Sequence, residues 1–154
     1  MSTTDLPPKL AAVVDDFDAV GERERLQLLL EFSEGLPELP ERYTQHPELL
    51  EPVPECQSPV FVVTELEDAD HATPPLARIV RVFASAPREA PTTRGFAGIL
   101  CEGLDGLPAG ELLAVPDDFC DRLGLGRAVS PLRMRGMSGM LGRIKRQVRE
   151  RTAA

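Results

Sequence analysis

"VPECQSPVFVVTEL", residues 53–66, is where the chain stops reading as helix and turns to sheet. Its second half, Val60 to Leu66, is short, β-branched and apolar, which predicts a strand. Its first half sets Cys56 between Pro54 and Pro59. Each proline fixes φ and lacks an N–H, so no helix continues through the cysteine on either side. After a polar connection, EDADHATPP (67–75), a second strand candidate follows in LARIVRVFAS (76–85). It places Ile79 and Phe83 on one side and Val80 and Val82 on the other. Two strands joined by a loop of that length pair most economically as antiparallel neighbours. A third strand is expected near Leu49 to Val53.

Helices are expected on both flanks. PPKLAAVVDDF (7–17) puts Leu10, Val13, Val14 and Phe17 on one helical face, entered through Pro7 and Pro8. GERERLQLLLEFSEG (21–35) predicts a second helix with Leu26, Leu29, Leu30 and Ser33 along one side, ended by Gly35 and Pro37. Residues 36–55 are acidic and proline-rich without periodicity, the kind of long connection that is usually functional or disordered. Downstream, APTTRGFAGILCEGLDG (90–106) predicts a helix capped by Thr92 or Thr93, with Phe96, Ile99, Leu100 and Leu104 on its stripe. Two short helices are expected in PAGELLAV (108–115) and PDDFCDRLG (116–124), the second ending at Gly124.

The chain closes with SPLRMRGMSGMLGRIKRQVRERT (130–152), where Ser130 and Pro131 read as N-cap and first helical residue. Met134, Met137, Leu141, Ile144 and Val148 form a seam, leaving Arg143, Lys145, Arg146, Arg149 and Arg151 outside it. Gly136, Gly139 and Gly142 each disfavour helix by roughly 1 kcal/mol relative to Ala. Either close packing compensates there or the regular helix starts late. Helices, then strands, then helices imply an α+β fold, with a small antiparallel sheet of about three strands flanked by N-terminal and C-terminal helices. Neither an internal repeat nor a second unit is evident, so one domain over residues 1–154 is expected.

The 154 residues are 42% hydrophobic but only 5% aromatic, without Trp, so aliphatic side chains must fill the core. No run of about 18 apolar residues predicts a membrane span. The opening MSTTDLPPKL lacks the basic and apolar pattern of a secretory leader, and a cytoplasmic protein is expected. Three cysteines, none in a CxxC pair, are expected to be free thiols. The net charge of −8 is uneven: residues 1–76 carry 17 acidic against 4 basic side chains, and residues 77–154 carry 8 against 13. Such polarity can orient a partner. A nucleic-acid role is not expected, because the chain is acidic and its basic half offers few aromatic stacking residues.

Cys56 is the residue most exposed to chemistry. A thiol on a proline-limited loop can be reached by another protein's active site. No Lys or Arg lies within ten residues of it, and Glu55 would raise its pKa. A thiol that waits protonated and is activated by a partner fits better than a self-activated nucleophile. Burial in the core is the plainer alternative. Cys101, beside Leu100, and Cys120, beside Phe119, read as core thiols. A zinc or cluster site built from Cys56, Cys101 and Cys120 is the rival reading, although their spacing matches no compact zinc pattern. His46 and His71 read as surface loop residues without a catalytic signature. No P-loop, dinucleotide fingerprint or HExxH is present.

As a set, GLPELPERY (35–43), VPECQSPVFVV (53–63), PTTRGFAGIL (91–100) and SPLRMRGMSGMLGRIKRQV (130–148) resemble, in order and spacing, the SufE family of sulfur-acceptor proteins. The resemblance runs from about Leu26 to Val148. It implies a SufE/IscU-like fold and a non-catalytic sulfur carrier of iron–sulfur cluster assembly that needs no cofactor or metal of its own. Its implied partners are a pyridoxal-phosphate cysteine desulfurase (SufS-like), which it activates, and an iron–sulfur scaffold complex (SufBCD-like). Cys56 would accept persulfide sulfur by thiol exchange. Gln57 and Ser58 match the family motif as loop-shaping residues. Glu89 falls where many relatives carry Asp, ahead of Arg94 and Gly95. Arg133 falls where relatives carry an arginine near the cysteine loop and the partner interface. Pro59 and Phe61 depart from relatives that carry a longer polar residue and Trp. Because the fold is related to that of cluster scaffolds, an IscU-like zinc- or cluster-binding scaffold is the alternative function.

Overall fold

A computed structural model of the chain describes residues 5–153. Residues 1–4 and 154 lie outside it. The expected domain of 1–154 includes them, and the leader-peptide reading, made on residues 1–10, falls partly on the first four. Among the described residues the order is α1 (Pro8–Asp18), α2 (Glu22–Glu34), α3 (Glu41–Thr44), β1 (Glu51–Pro52), β2 (Phe61–Leu66), β3 (Val80–Ser85), α4 (Pro91–Leu104), α5 (Ala109–Leu113) and α6 (Pro131–Ala153). The sheet order is β1-β2-β3, antiparallel throughout, with Glu51 opposite Val62 and Val62 opposite Ala84. This is the expected α+β architecture.

The helix and strand faces follow the apolar spacing. Leu10, Val13, Val14 and Phe17 are all buried from α1, and Phe96, Ile99, Leu100 and Leu104 from α4. On β3, Val80, Val82 and Ala84 face inward, while Arg81 is exposed and Phe83 is half-buried. The two inner rows, from β2 and β3, join one continuous core with α1, α4, α5 and α6. Phe83 lies on the other face, against Tyr43 of α3, whose hydroxyl donates to Glu65.

Several expectations need correction. Leu26 and Leu30 of α2 are each 38% exposed; Leu28 and Phe32 instead pack beside buried Leu29 and Ser33. The reason lies on α4, where a Cβ at Gly98 would stand 2.2 Å from the Phe32 carbonyl oxygen. The two backbones come so close there that the contact selects the 28/29/32/33 face of α2. Neither Thr92 nor Thr93 caps α4: the helix begins at Pro91, whose fixed φ and missing N–H suit a first turn, and Thr93 is buried inside it. PDDFCDRLG holds only a 3-10 turn, Phe119–Leu123, ended at Gly124 as expected. The segment 36–55 carries local structure of its own: α3, two 3-10 turns and β1.

α6 runs unbroken from Pro131 despite its three glycines, and Ser130 Oγ accepts the Arg133 N–H at 3.3 Å. Lys145, expected outside, is buried. Its Nζ donates to the Val115 carbonyl at 2.7 Å and to Asp117 at 2.8 Å, so its charge is met although its stem is enclosed. Gln147 is buried as well. Because β1 is only two residues long, it leaves the Thr64 N–H of β2 unpaired, and Gln147 Oε1 accepts that N–H at 2.8 Å. On the far side of the sheet, the Val80 N–H donates to Leu107, the Gly106 N–H to Val80, and the Val82 N–H to the Asp105 carboxylate.

Candidate functional site

Cys56 ends a 3-10 turn, Pro54–Cys56, entered from β1 and left toward β2. Two backbone bonds close it: Cys56 N–H to Val53 at 3.1 Å, and Gln57 N–H to Pro54 at 3.0 Å. Gln57 takes a left-handed conformation, φ 54°, the one non-glycine residue to do so among those described. Holding a side-chain-bearing residue there costs on the order of 1 kcal/mol. Gln57 therefore shapes the turn through its backbone; its exposed side chain makes no hydrogen bond among the described residues. Ser58 acts the same way, its carbonyl accepting the Val60 N–H at 2.7 Å.

The turn lies on α6, and the α6 glycines explain how. A Cβ at Gly136 would stand 3.0 Å from Cys56 Sγ, and one at Gly139 would stand 3.0 Å from the Glu55 carboxyl carbon. Close packing is thus the answer to the helix-weakening glycines at these two positions. Cys56 Sγ is half-buried and directs its S–H to the Gly136 carbonyl, 3.5 Å away. Burial, and then the neighbouring Glu55 charge, push the thiol up to about 11, against a smaller opposing pull from Arg143. At neutral pH the group is an uncharged thiol.

Side chains fasten the rim. Arg143 Nη1 donates to Glu55 at 2.7 Å, and its Nε stands 3.4 Å from Glu51. The Arg143 hydrogen bond holds the Glu55 carboxyl below the usual carboxylate range. Glu51 also takes hydrogen bonds from Arg146 and Gln147. An open groove runs beside the turn, lined by Glu51, Glu55, Arg135, Gly139, Gly142 and Arg143 among others.

Other singled-out residues stand apart. Arg133 is exposed on the first turn of α6, one turn before Gly136, and its guanidinium makes no ion pair among the described residues. Glu89 is exposed on the loop leaving β3 at Ser85. Ser85 is registered opposite Phe61, so Glu89 follows the cysteine's end of the sheet, and its side chain forms no hydrogen bond or ion pair among the described residues. Arg94 is structural, donating to the Ser33 and Ala86 carbonyls. Cys101 and Cys120 are buried in the core, and burial pushes each up to about 12. Among the described residues no group of three His, Cys, Asp or Glu stands close enough to hold a metal ion. Among the described residues His46 bonds only Glu48, and His71 is exposed. A separate cleft of about 460 Å³ between α2, α4 and β3 reaches Cys101 and shares no lining residue with the groove.

Close packing at Gly136 and Gly139 was one of the two alternatives the sequence left open; what packs there, and the pairing of Arg143 with Glu55, escaped it. A signal was present: glycines at intervals of three inside a long helix imply that something presses on that face.

Fold and site together define a small α+β protein that presents one neutral, half-covered thiol on a fastened turn. The family model for SufE, described as an Fe-S metabolism associated domain, matches residues 11–148, and the chain belongs to that family. It is 52% identical over 145 residues to an uncharacterized SufE-like protein of Mycobacterium tuberculosis, covering 94% of each chain. It is 29% identical to the chloroplastic/mitochondrial SufE-like protein 1 of Arabidopsis thaliana, over 89% of this chain and 34% of that one. The solution structure of a hypothetical protein from Thermus thermophilus superposes with a TM-score of 0.80 at 36% identity, covering 97% of this chain and 99% of the other. Membership ties the chain to iron–sulfur metabolism. No helix among the described residues is long and apolar enough to cross a membrane.

Proposed function

We propose that this chain is a cytoplasmic, single-domain sulfur carrier of iron–sulfur cluster assembly, with Cys56 as its transfer thiol. The observation that supports this best is the Cys56 turn itself: a protonated, half-buried thiol held on a turn that ends in a left-handed Gln57. The donor is a pyridoxal-phosphate cysteine desulfurase whose own cysteine carries sulfur as a persulfide. A base on the desulfurase, or water, takes the Cys56 proton. The thiolate attacks the outer sulfur, a new S–S bond forms at Sγ, and the bond to the desulfurase cysteine breaks. That cysteine leaves as a thiolate and is reprotonated. One disulfide-type bond is exchanged for another, so neither an oxidant nor a reductant is consumed. Clearing the donor's persulfide is how the carrier stimulates the desulfurase. The cargo then passes to an iron–sulfur scaffold complex.

The raised pKa suits this role, because a thiol kept neutral and half-covered resists oxidation until a partner engages it. Arg133 and Glu89, exposed at the cysteine's end of the molecule, act as partner-facing residues. The test is intact-mass spectrometry after mixing with desulfurase and cysteine, without reductant. A gain of about 32 Da per sulfur atom on Cys56, absent in Cys56→Ser, is expected from the exchange chemistry. No gain, or equal loading of Cys101 and Cys120, overturns the proposal.

A further inference from the structure

The turn that carries Cys56 could have been held by its backbone alone, yet a side-chain pair spans it. Glu55, next to the thiol, lays its carboxylate over Gly139, where a Cβ would collide with it at 3.0 Å. Arg143, one helical turn further along α6, grips that carboxylate at 2.7 Å and also reaches the Gly139 carbonyl at 3.4 Å. Glu51 steadies Arg143 from β1 and is itself held by Arg146 and Gln147. The residues joined, 55 and 143, lie 88 positions apart. The only covalent path between them leads through the rest of the fold, so the pair ties the turn directly to the helix.

We infer that Glu55 and Arg143 form a clasp, with Gly139 as its seat, that positions the Cys56 turn shut against α6, so that the thiol becomes available when the clasp opens. The inference rests on Cys56 being the transfer thiol. Arg143 is both the clasp's cation and a positive charge that favours the Cys56 thiolate. A carboxylate on a docking partner that takes Glu55's place on Arg143 would open the turn while leaving that cation in position.

The test needs no desulfurase. Amide hydrogen exchange at Cys56 and Gln57 reports opening of the two backbone bonds that close the turn. In Glu55→Gln and in Arg143→Gln, both amides should exchange faster by about two- to fivefold, the range that a partly exposed ion pair supports. Amides of β2 and β3 should keep their wild-type rates, and Arg143→Lys, which keeps the charge, should stay near wild type. Alkylation of Cys56 by neutral iodoacetamide at about pH 8 gives the second readout. It should rise more than exchange does in Glu55→Gln, where a charge that opposes the thiolate is also gone. It should rise less than exchange does in Arg143→Gln, where Glu55 is left unpaired.

Unchanged exchange at Cys56 and Gln57 in both variants overturns the clasp, as does an equal change across β2. Buried Cys101 and Cys120 monitor the fold, and if Arg143→Gln makes them reactive, Glu55→Gln, a surface substitution, decides alone. A carrier that loads sulfur without a clasp, or a clasp on a cysteine that never loads, are separate outcomes, since the two tests share no reagent.

Discussion

Glycines let two pairs of elements come close in this protein, to different ends. Between α2 and α4 they bring backbone against backbone: the atom facing Gly98 is the Phe32 carbonyl oxygen. A helix backbone has no alternative rotamer, so that contact is permanent. Between α6 and the cysteine turn, the atoms nearest Gly136 and Gly139 are the Cys56 thiol, with the Cys56 Cα close behind it, and the Glu55 carboxylate, all on a short turn. The same absence of a Cβ makes a weld in one place and a removable seat in the other. What differs is whether the neighbour can leave without unfolding anything else.

Substituting the glycines tests this contrast directly. Gly98→Ala should be the most damaging, because its Cβ falls 2.2 Å from Phe32 O and 2.9 Å from Phe32 C, and the helices must part. A loss of about 2 kcal/mol or more is expected from overpacking, against a gain of about 1 kcal/mol at most in helix propensity. The midpoint of urea unfolding measures it. Gly136→Ala meets the Cys56 Sγ at 3.0 Å and its Cα at 3.2 Å, and the turn has room to lift. Its unfolding midpoint should stay within about 1 kcal/mol of wild type, while Cys56 alkylation at neutral pH accelerates as the thiol loses burial. If Gly136→Ala costs as much as Gly98→Ala, the contrast collapses, and the turn is as integral as the helix pair. Gly142→Ala should do least. Its Cβ meets nothing within 4 Å, so about 1 kcal/mol of added helix stability and an unchanged alkylation rate are expected.

Local pattern carried much of this molecule. The α1 face from Leu10 to Phe17, the alternation of β3 and the α6 seam are readable because burial repeats with the period of the element. Cys56 stood out because prolines on both sides left it no regular structure to belong to. The errors fell where a distant element decides. Leu26 and Leu30 match helical spacing as well as Leu28 and Phe32 do, and only the approach of α4 chooses between them. Lys145 is a surface residue by type, yet the Val115 carbonyl and Asp117 receive its ammonium inside. Glu55 and Arg143 are ordinary surface charges in one dimension and a pair in three. Gln57 was expected as a loop-shaping residue, and the unusual backbone angle with which it shapes the turn is not signalled by composition.

Both flanks of the small sheet are finished by groups that are not strands. Gln147 takes the Thr64 N–H that β1 is too short to meet, and Leu107, Gly106 and Asp105 occupy the outer backbone of β3. A three-stranded sheet with bare edges would invite another chain to add itself as a fourth strand, specifically or as an aggregate. Here that invitation is withdrawn at Thr64 on one side and along Val80–Val82 on the other. Visitors meet the side chains and turns at the end of the sheet, where Cys56 sits, and the protein exposes a thiol without leaving those stretches of edge open beside it.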